Sequence, residues 1–318
     1  MNFLFLMDPL ETVIVAKDTS FILMWEAHRR GHSVYFLGDG GITLHNGALH
    51  FQTLKVVPEQ NPQNPFSQRT PRKLEDQDVD GVFIRSDPPF DAAYLLNTWL
   101  LDRLPARIPV INNPAGIRTA NEKIWATQFR SIVPRTLIGR NRQELLDFFL
   151  QEKDMIVKPT DGFGGSSVFH VHLLDTNAKV ILETMTQHWT KDVILQQYIP
   201  ESQAGDKRIL LLNGEPLGAV LRVHAPDDHR NNFFAGGKPM ATDINSRDRE
   251  IIGMLKPELQ KLGLFFVGID IIDGYLIEVN VTSPTCLQEM NRLYGQKLEE
   301  KVIGFAEKLV EHNRRKNI

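Results

Sequence analysis

Ile156-Val-Lys158-Pro-Thr-Asp-Gly162-Phe-Gly164-Gly165-Ser-Ser167 runs from an apolar strand that ends in a lysine, through a glycine-rich turn, into a second strand. Glycines allow backbone N–H groups to come close to phosphates, and a lysine adds a point charge for them. The lysine precedes the glycines and no helix pattern follows, so this is not a Walker A loop. Nor does the first β-α-β unit carry the G-x-G-x-x-G of a dinucleotide site. Taken alone, the stretch reads either as a phosphate-covering loop or as a plain structural turn.

A second stretch, Gly268-Ile-Asp270-Ile-Ile-Asp-Gly-Tyr-Leu-Ile-Glu278-Val-Asn280, sets three oxygen-bearing side chains inside apolar strands. Unpaired buried carboxylates are costly, so such positions are usually kept for a cation. A two-residue Asp273-Gly274 turn would put Asp270 and Glu278 on opposite faces, whereas a three-residue turn, Asp273-Gly-Tyr275, pairs Ile272 with Leu276 and sets Asp270 opposite Glu278. A magnesium site shared by Asp270, Glu278 and Asn280 therefore predicts the three-residue turn. Asp206-Lys207-Arg208 opens another apolar strand, and Arg222, His224, Arg230, Lys238 and Gly236-Gly237 follow. The polar stretch from Val223 to Thr242 reads as a closing lid or as a surface loop.

Outward from these motifs, Phe3 to Met7 is a continuous apolar run, the pattern of a strand buried on both faces. Asp18-Thr19-Ser20 caps a helix that Gly31 closes, and Val34 to Leu37 completes a β-α-β start. Asn46-Gly47 predicts a tight hairpin. The proline-rich Pro58 to Arg72 reads as a loop, and Asn141 with Glu144 as a capping box. Pro257 should kink or split a helix spanning about Asn245 to Leu262. Strands Val82 to Ile84 and Val110 to Ile111 end in polar, proline-bearing loops, either binding loops or simple turns. His170 and His172 read as a solvated strand face, Cys286 as a packed small residue, and Arg314-Arg-Lys316 as a frayed helix end.

Composition narrows the class. The chain has 318 residues, 42% hydrophobic and 24% charged, which excludes disordered, collagen-like and coiled-coil chains. With 36 basic and 39 acidic residues the net charge is −3, so there is no overall field for nucleic acid or for an anionic membrane. The lone Cys286 forms no internal disulfide, and the Phe3 to Met7 run is too short for a signal-peptide core or a membrane span, so the chain is expected in the cytoplasm. Neither a G-x-S-x-G nor a Cys–His signal is present.

Asn121-Glu-Lys123, Lys158-Pro-Thr-Asp-Gly-Phe-Gly-Gly165, Asp206-Lys-Arg208, Ala235-Gly-Gly237 and Val267-Gly-Ile-Asp270 stand in the order found in ATP-grasp ligases. With Glu278-Val-Asn-Val-Thr-Ser-Pro-Thr285, Met7-Asp-Pro9 and Arg85-Ser-Asp-Pro-Pro-Phe-Asp91, nearly the whole chain resembles the bacterial glutathione synthetase family. The resemblance implies an α/β ATP-grasp fold: a Rossmann-like domain (residues 1–121), a small lid domain (122–200) and a larger C-terminal domain (201–318). It implies ligation of γ-glutamylcysteine to glycine with ATP as co-substrate, through an acyl phosphate, in a tetramer. By the same resemblance Asp270, Glu278 and Asn280 hold Mg2+ or Mn2+, two ions with Glu278 bridging. Lys123 and Lys158 meet the α/β-phosphates under the loop Gly162, Phe163, Gly164 and Gly165; Gln197, Tyr198 and Ile199 meet adenine, and Asp206 the ribose. Arg208 and Arg230 are implied as catalytic. Arg222, Asn232, Gly236, Gly237, Ser283 and Thr285 would serve the substrates, and Arg85, Asp18 and Ser20 would bind γ-glutamylcysteine. Ser86 and Thr119 depart from the family's usual residues, and Pro58 to Pro71 matches poorly. The competing expectations are a D-alanine–D-alanine or glutamate-adding ligase of the same superfamily and a nucleotide-binding module without turnover.

Overall fold

The structure, a computed structural model, describes residues 1–224 and 236–316. Among these residues the strands form three sheets. The first takes β1 (Asn2–Met7), β2 (Ser33–Leu37), β3 (Ile42–His45), β4 (Ala48–Pro58), β5 (Phe66–Glu75), β6 (Gly81–Arg85) and β7 (Val110–Ile111), in the order β3-β4-β2-β1-β6-β7 with β5 on β4. Its helices are α1 (Thr19–Arg29), α2 (Ala92–Leu101) and α3 (Pro114–Thr119). β1 is parallel to both β2 and β6, which is why its apolar run has no polar face.

The second sheet is antiparallel, β10-β9-β11-β8, from β8 (Thr136–Gly139), β9 (Asp154–Pro159), β10 (Phe169–His172) and β11 (Val193–Gln197). α4 (Arg142–Glu152) and α5 (Ala178–Met185) cover it and close a core of their own around Leu145, Met155, Val157, Leu182 and Leu195. The third sheet, β14-β13-β12-β15-β16, comprises β12 (Asp206–Leu212), β13 (Glu215–Val223), β14 (Lys238–Met240), β15 (Phe266–Ile272) and β16 (Tyr275–Asn280). α6 (Ser246–Lys261), α7 (Leu287–Tyr294) and α8 (Leu298–Lys316) pack with it. Its apolar residues share two cores with the first sheet: Leu4 and Leu6 lie in one with Ile251 and Val267, Phe3 and Phe5 in the other with Val302 and Leu210. No helix among the described residues is long and apolar enough to cross a membrane.

Several expectations need correction. Pro58 to Arg72 is a loop only over residues 59–65: from Phe66 to Glu75 β5 pairs with β4, and Pro71 sits opposite Leu54. As an edge strand exposed from Ser67 to Lys73, β5 tolerates a proline and shows no apolar alternation. Pro257 does not split its helix, because Ile251, Ile252, Leu255 and Leu259 on either side are buried in one stripe. The Asn141 side chain caps α4 by accepting from the Gln143 and Glu144 amides, the forward half of the expected box. The stretch after Val223 is not all loop, since β14 returns to β13 with Lys238 opposite Val223; residues 225–235 lie outside the described residues. α8 continues to Lys316, with Arg314 bonded to Asp80, so the basic tail is not frayed there. β8, four half-buried residues, carries too short a pattern to be read from sequence.

Asn112 joins the first sheet to the third. Its amide donates to the carbonyls of Phe266 and Val281, each at 2.7 Å, and its Oδ1 accepts from the Phe266 amide at 2.7 Å. Replacing Asn112 with alanine strands three buried backbone groups, so urea unfolding should show a loss of roughly 2–4 kcal/mol. A loss indistinguishable from zero would mean that water replaces the amide at no cost.

Candidate active site

The register of β12, β15 and β16 builds the site. Arg208 lies opposite Asp270, and Asp270 opposite Glu278. Asp206 shares the Arg208 face and pairs with Arg222 on β13, while Asn280 shares the face of Glu278. The turn is the two-residue one: Ile272 pairs with Tyr275, and Asp273 (φ 46°) and Gly274 (φ 73°) both take positive φ. The three-residue turn was therefore the wrong device for the right pairing. A β-bulge after Asp270 sets Ile271 against Leu276, so Ile277 is the extra residue and Glu278 returns to the face of Asp270.

Asp270 is 4% exposed and carries two cations. Arg208 grips both its carboxylate oxygens, and Arg222 reaches Oδ2 at 3.0 Å. Burial alone would raise its pKa, but the two guanidinium groups outweigh that and hold it well below the usual carboxylate range. Asp206 accepts a bidentate bond from Arg222, from Nε at 2.7 Å and at 2.6 Å from the same Nη2 that reaches Asp270, and there burial prevails and pushes the carboxyl up. Gly268 makes room for this cluster: a Cβ there would stand 3.2 Å from both Arg208 Cδ and Pro284 Cβ. The Asn280 amide donates to the Gly268 carbonyl at 3.3 Å and to Asp270 Oδ2 at 3.4 Å.

On the second sheet Lys158 is 6% exposed and donates to Gln196 Oε1 at 2.9 Å. Burial pushes its pKa down to about 8 against the pull of Glu278. Gly164 (φ 62°) and Gly165 (φ 74°) adopt the left-handed conformation that the turn after Lys158 requires. Lys123 bridges the sheets, donating to the Gly162 carbonyl and pairing with Glu278 Oε1 at 2.8 Å. His170, expected on a solvated face, instead bonds Asp154 at 2.5 Å and stacks on Tyr198 with ring centroids 3.7 Å apart.

These parts line one cavity of about 260 Å³. Lys123, Lys158, Gly162, Phe163, Gly164, Gly165, Gln197, Tyr198 and Ile199 form its second-sheet side. Asp206, Arg208, Arg222, Asp270, Glu278, Asn280, Ser283 and Thr285 form the third-sheet side. Gly236 and Gly237 lead into β14 away from this lining, and Arg230 and Asn232 lie outside the described residues. Arg85, Ser20 and Asp18 stand together at the end of β6, where Arg85 Nε donates to Ser20 Oγ at 3.0 Å and Asp18 caps α1. Sequence reasoning passed over Glu122. One of its carboxylate oxygens accepts from the Val281 amide (2.8 Å), the Thr282 amide (3.0 Å) and the Thr282 hydroxyl (2.8 Å), so it orients the loop bearing Ser283 and Thr285. Burial first, then the charge of Glu278, raises its pKa. Its signal was available: an acid beside Lys123 in a segment otherwise read for the lysine.

Set against known proteins, residues 122–295 match the family described as prokaryotic glutathione synthetase, ATP-grasp domain, and residues 1–118 match that family's N-terminal domain. The chain belongs to the prokaryotic glutathione synthetase family. A glutathione synthetase of Gloeobacter violaceus is 41% identical over 322 residues, spanning 99% of this chain and 98% of its own. One from Synechococcus elongatus is 40% identical over 320 residues, spanning 98% and 99%. Among solved structures, D-cycloserine synthetase DcsG superposes with a TM-score of 0.67 at 15% identity over 96% of this chain and 99% of that one. A D-alanine–D-alanine ligase from Bacillus anthracis does so with 0.59 at 13% over 99% of each chain. At that identity the likeness shows the fold, which is ATP-grasp.

The Lys158 environment gives a pH dependence. The ligand-free side chain is cationic below its value of about 8 and neutral above it, while bound phosphate favours the cation. Nucleotide affinity should therefore hold steady below about pH 7 and fall by up to about tenfold per unit above pH 8. Lys158→Met should bind nucleotide more weakly and lose that limb. An affinity of the unaltered protein that stays constant to about pH 9.5 contradicts the assignment.

Proposed function

We propose that this chain is an ATP-dependent ligase that joins γ-glutamylcysteine to glycine, releasing ADP and phosphate. The observation that carries the reading is the single cavity in which a lysine-and-glycine phosphate end meets a carboxylate row, within a chain that matches the family over nearly its full length. A carboxylate is a poor acyl donor. Transfer of the ATP γ-phosphoryl group to the cysteinyl carboxylate makes an acyl phosphate, and the glycine amine then displaces phosphate through a tetrahedral intermediate. Both steps build negative charge on oxygen, which fixed cations stabilise.

Lys123 and Lys158 hold the α/β-phosphates, the Gly162 to Gly165 turn covers them, and the segment Gln197 to Ile199 faces adenine. Asp206 takes the ribose hydroxyls. Arg208, aligned with Asp270, stands where the transferring phosphoryl group and the acyl oxygen develop charge. Ser283 and Thr285, on the loop that Glu122 orients, seat the acceptor. The donor set Asp270, Glu278 and Asn280 offers only oxygen ligands from two carboxylates and an amide, which suits a hard divalent cation that completes its shell with water and substrate phosphate. Such a cation, Mg2+ or Mn2+ and two ions in our reading, supplies charge neutralisation of the phosphates when bound. The protein's own part is to keep the carboxylates in register and the cations within reach.

ADP should form only when γ-glutamylcysteine and glycine are both present, one per glutathione; ADP formation that ignores either substrate refutes the reading. Glu278→Gln should lower turnover by about 100-fold or more, with the fold intact by circular dichroism. Near-normal turnover of that variant at saturating magnesium would remove Glu278 from the metal site.

A further inference from the structure

A surface helix normally turns a polar face to water, and one that is apolar all round is normally covered. α2 departs from both. Ala92-Ala-Tyr-Leu-Leu-Asn-Thr-Trp-Leu-Leu101 holds no charged residue. Its inner side is accounted for: Tyr94, Thr98 and Leu101 are buried, and the Thr98 hydroxyl donates to the Leu95 carbonyl at 2.6 Å. Its outer side is apolar and open, with Leu96 51% and Trp99 53% exposed. The patch continues past the helix. Phe90, in the turn that precedes α2, is also exposed and has its ring centroid 4.9 Å from that of Tyr94. Leu44 is exposed on β3, the strand against which α2 lies, and Asn97 ties the two elements by donating to Asp39 at 3.1 Å. A contiguous apolar surface of this kind marks an interaction site.

The order of residues on that side says what covers it. Ala92, Leu96, Trp99 and Arg103 follow at steps of four, three and four, so they form one stripe that runs along α2 and into the turn after it. The steps are symmetric about a point midway between Leu96 and Trp99. A two-fold axis through that point lays a second copy of the helix antiparallel to the first, Leu96 against the partner's Trp99 and Ala92 against the partner's Arg103. The ends then match in charge. Asp91 is exposed and caps α2 by accepting from the Tyr94 amide at 2.9 Å, and Arg103 is exposed at the other end. The small Ala92 leaves a guanidinium room to reach the neighbouring Asp91, and the symmetry makes that pair twice. We propose that α2 is the contact surface between two copies of this chain, packed antiparallel about a two-fold axis between Leu96 and Trp99. Phe90 and Leu44 widen the contact toward the roughly 1,000 Å² that a specific interface clears. An anionic bilayer is the poorer occupant, because Asp39, Asp91 and Asp102 edge the patch where a membrane-surface helix carries Lys and Arg. The tetramer implied by family resemblance brings no surface with it, and this pairing supplies one.

Sedimentation velocity on the full chain at micromolar concentration should give the mass of two chains or of a multiple of two. Trp99→Glu should halve that mass with the fold intact by circular dichroism, since Trp99 is half exposed and belongs to none of the cores. A single-chain mass for the unaltered protein overturns the inference and leaves the patch to a different partner. An unchanged mass for Trp99→Glu overturns it as well. Cysteine crosslinking tests the register, and the native Cys286 is buried away from it. A chain carrying Ala92→Cys and Arg103→Cys together should yield a dimer on a non-reducing gel after mild oxidation. Either substitution alone should yield none, because like positions in the antiparallel pair stand at least about 16 Å apart at 1.5 Å per residue, well beyond the roughly 7 Å limit for a disulfide. A double variant that does not crosslink, or single variants that do, would refute the antiparallel pairing.

Discussion

A carboxylate buried in the middle of a sheet is tolerable only if cations come with it, and Asp270 has two. Removing either Arg208 or Arg222 would leave an uncompensated charge in a site that water barely reaches. That requirement fixes much around it. The β12 register must bring Arg208 opposite Asp270, β13 must bring Arg222 alongside, and position 268 must be small enough for Arg208 and Pro284 to approach. The bulge in β16 follows from the same demand, because a regular two-residue hairpin would turn Glu278 to the other face. Asp206 completes the balance of two acids against two bases.

The same balance keeps the charges of so polar a cavity compensated. The charges at the carboxylate row and the lysine end already have partners within the protein: Asp270 with the two arginines, Glu278 with Lys123, and Lys158 with the Gln196 amide oxygen. Phosphate oxygens and a divalent cation would take over these contacts pairwise, cations turning to phosphate as carboxylates turn to metal. The exchange keeps charges compensated throughout, which lowers the cost of assembling a dry reaction site. Lys123 holds a pivotal place, since it touches both the glycine turn of the second sheet and the carboxylate row of the third.

Much of this was legible in the sequence, for physical reasons that differ from part to part. The apolar run of β1 announced a buried parallel strand because both its faces are covered, and Asn46-Gly47 announced its hairpin because both residues take positive φ. Lys158 with its glycines, and the acids set among isoleucines, exposed the two halves of the site. What stayed hidden depends on three-dimensional context. β5 is an edge strand whose exposed faces leave no periodicity, and Pro257 is held in line by burial that only the folded sheet supplies. The bulge cannot be counted from a turn sequence alone, although the need to pair Asp270 with Glu278 pointed to its outcome. Glu122 and Asn112 act through partners more than a hundred residues away, which no local pattern records.

In the proposed function the Asp270–Arg208–Arg222 cluster is the resting form of a metal-and-phosphate site. A crystal structure with magnesium and a non-hydrolysable ATP analogue tests it most directly. Asp270 and Glu278 should both ligate the metal, Arg208 should have turned from the carboxylate to the γ-phosphate, and Lys123 should have left Glu278 for phosphate. An occupied nucleotide site in which Arg208 still grips Asp270, with the metal held by other residues, would contradict it.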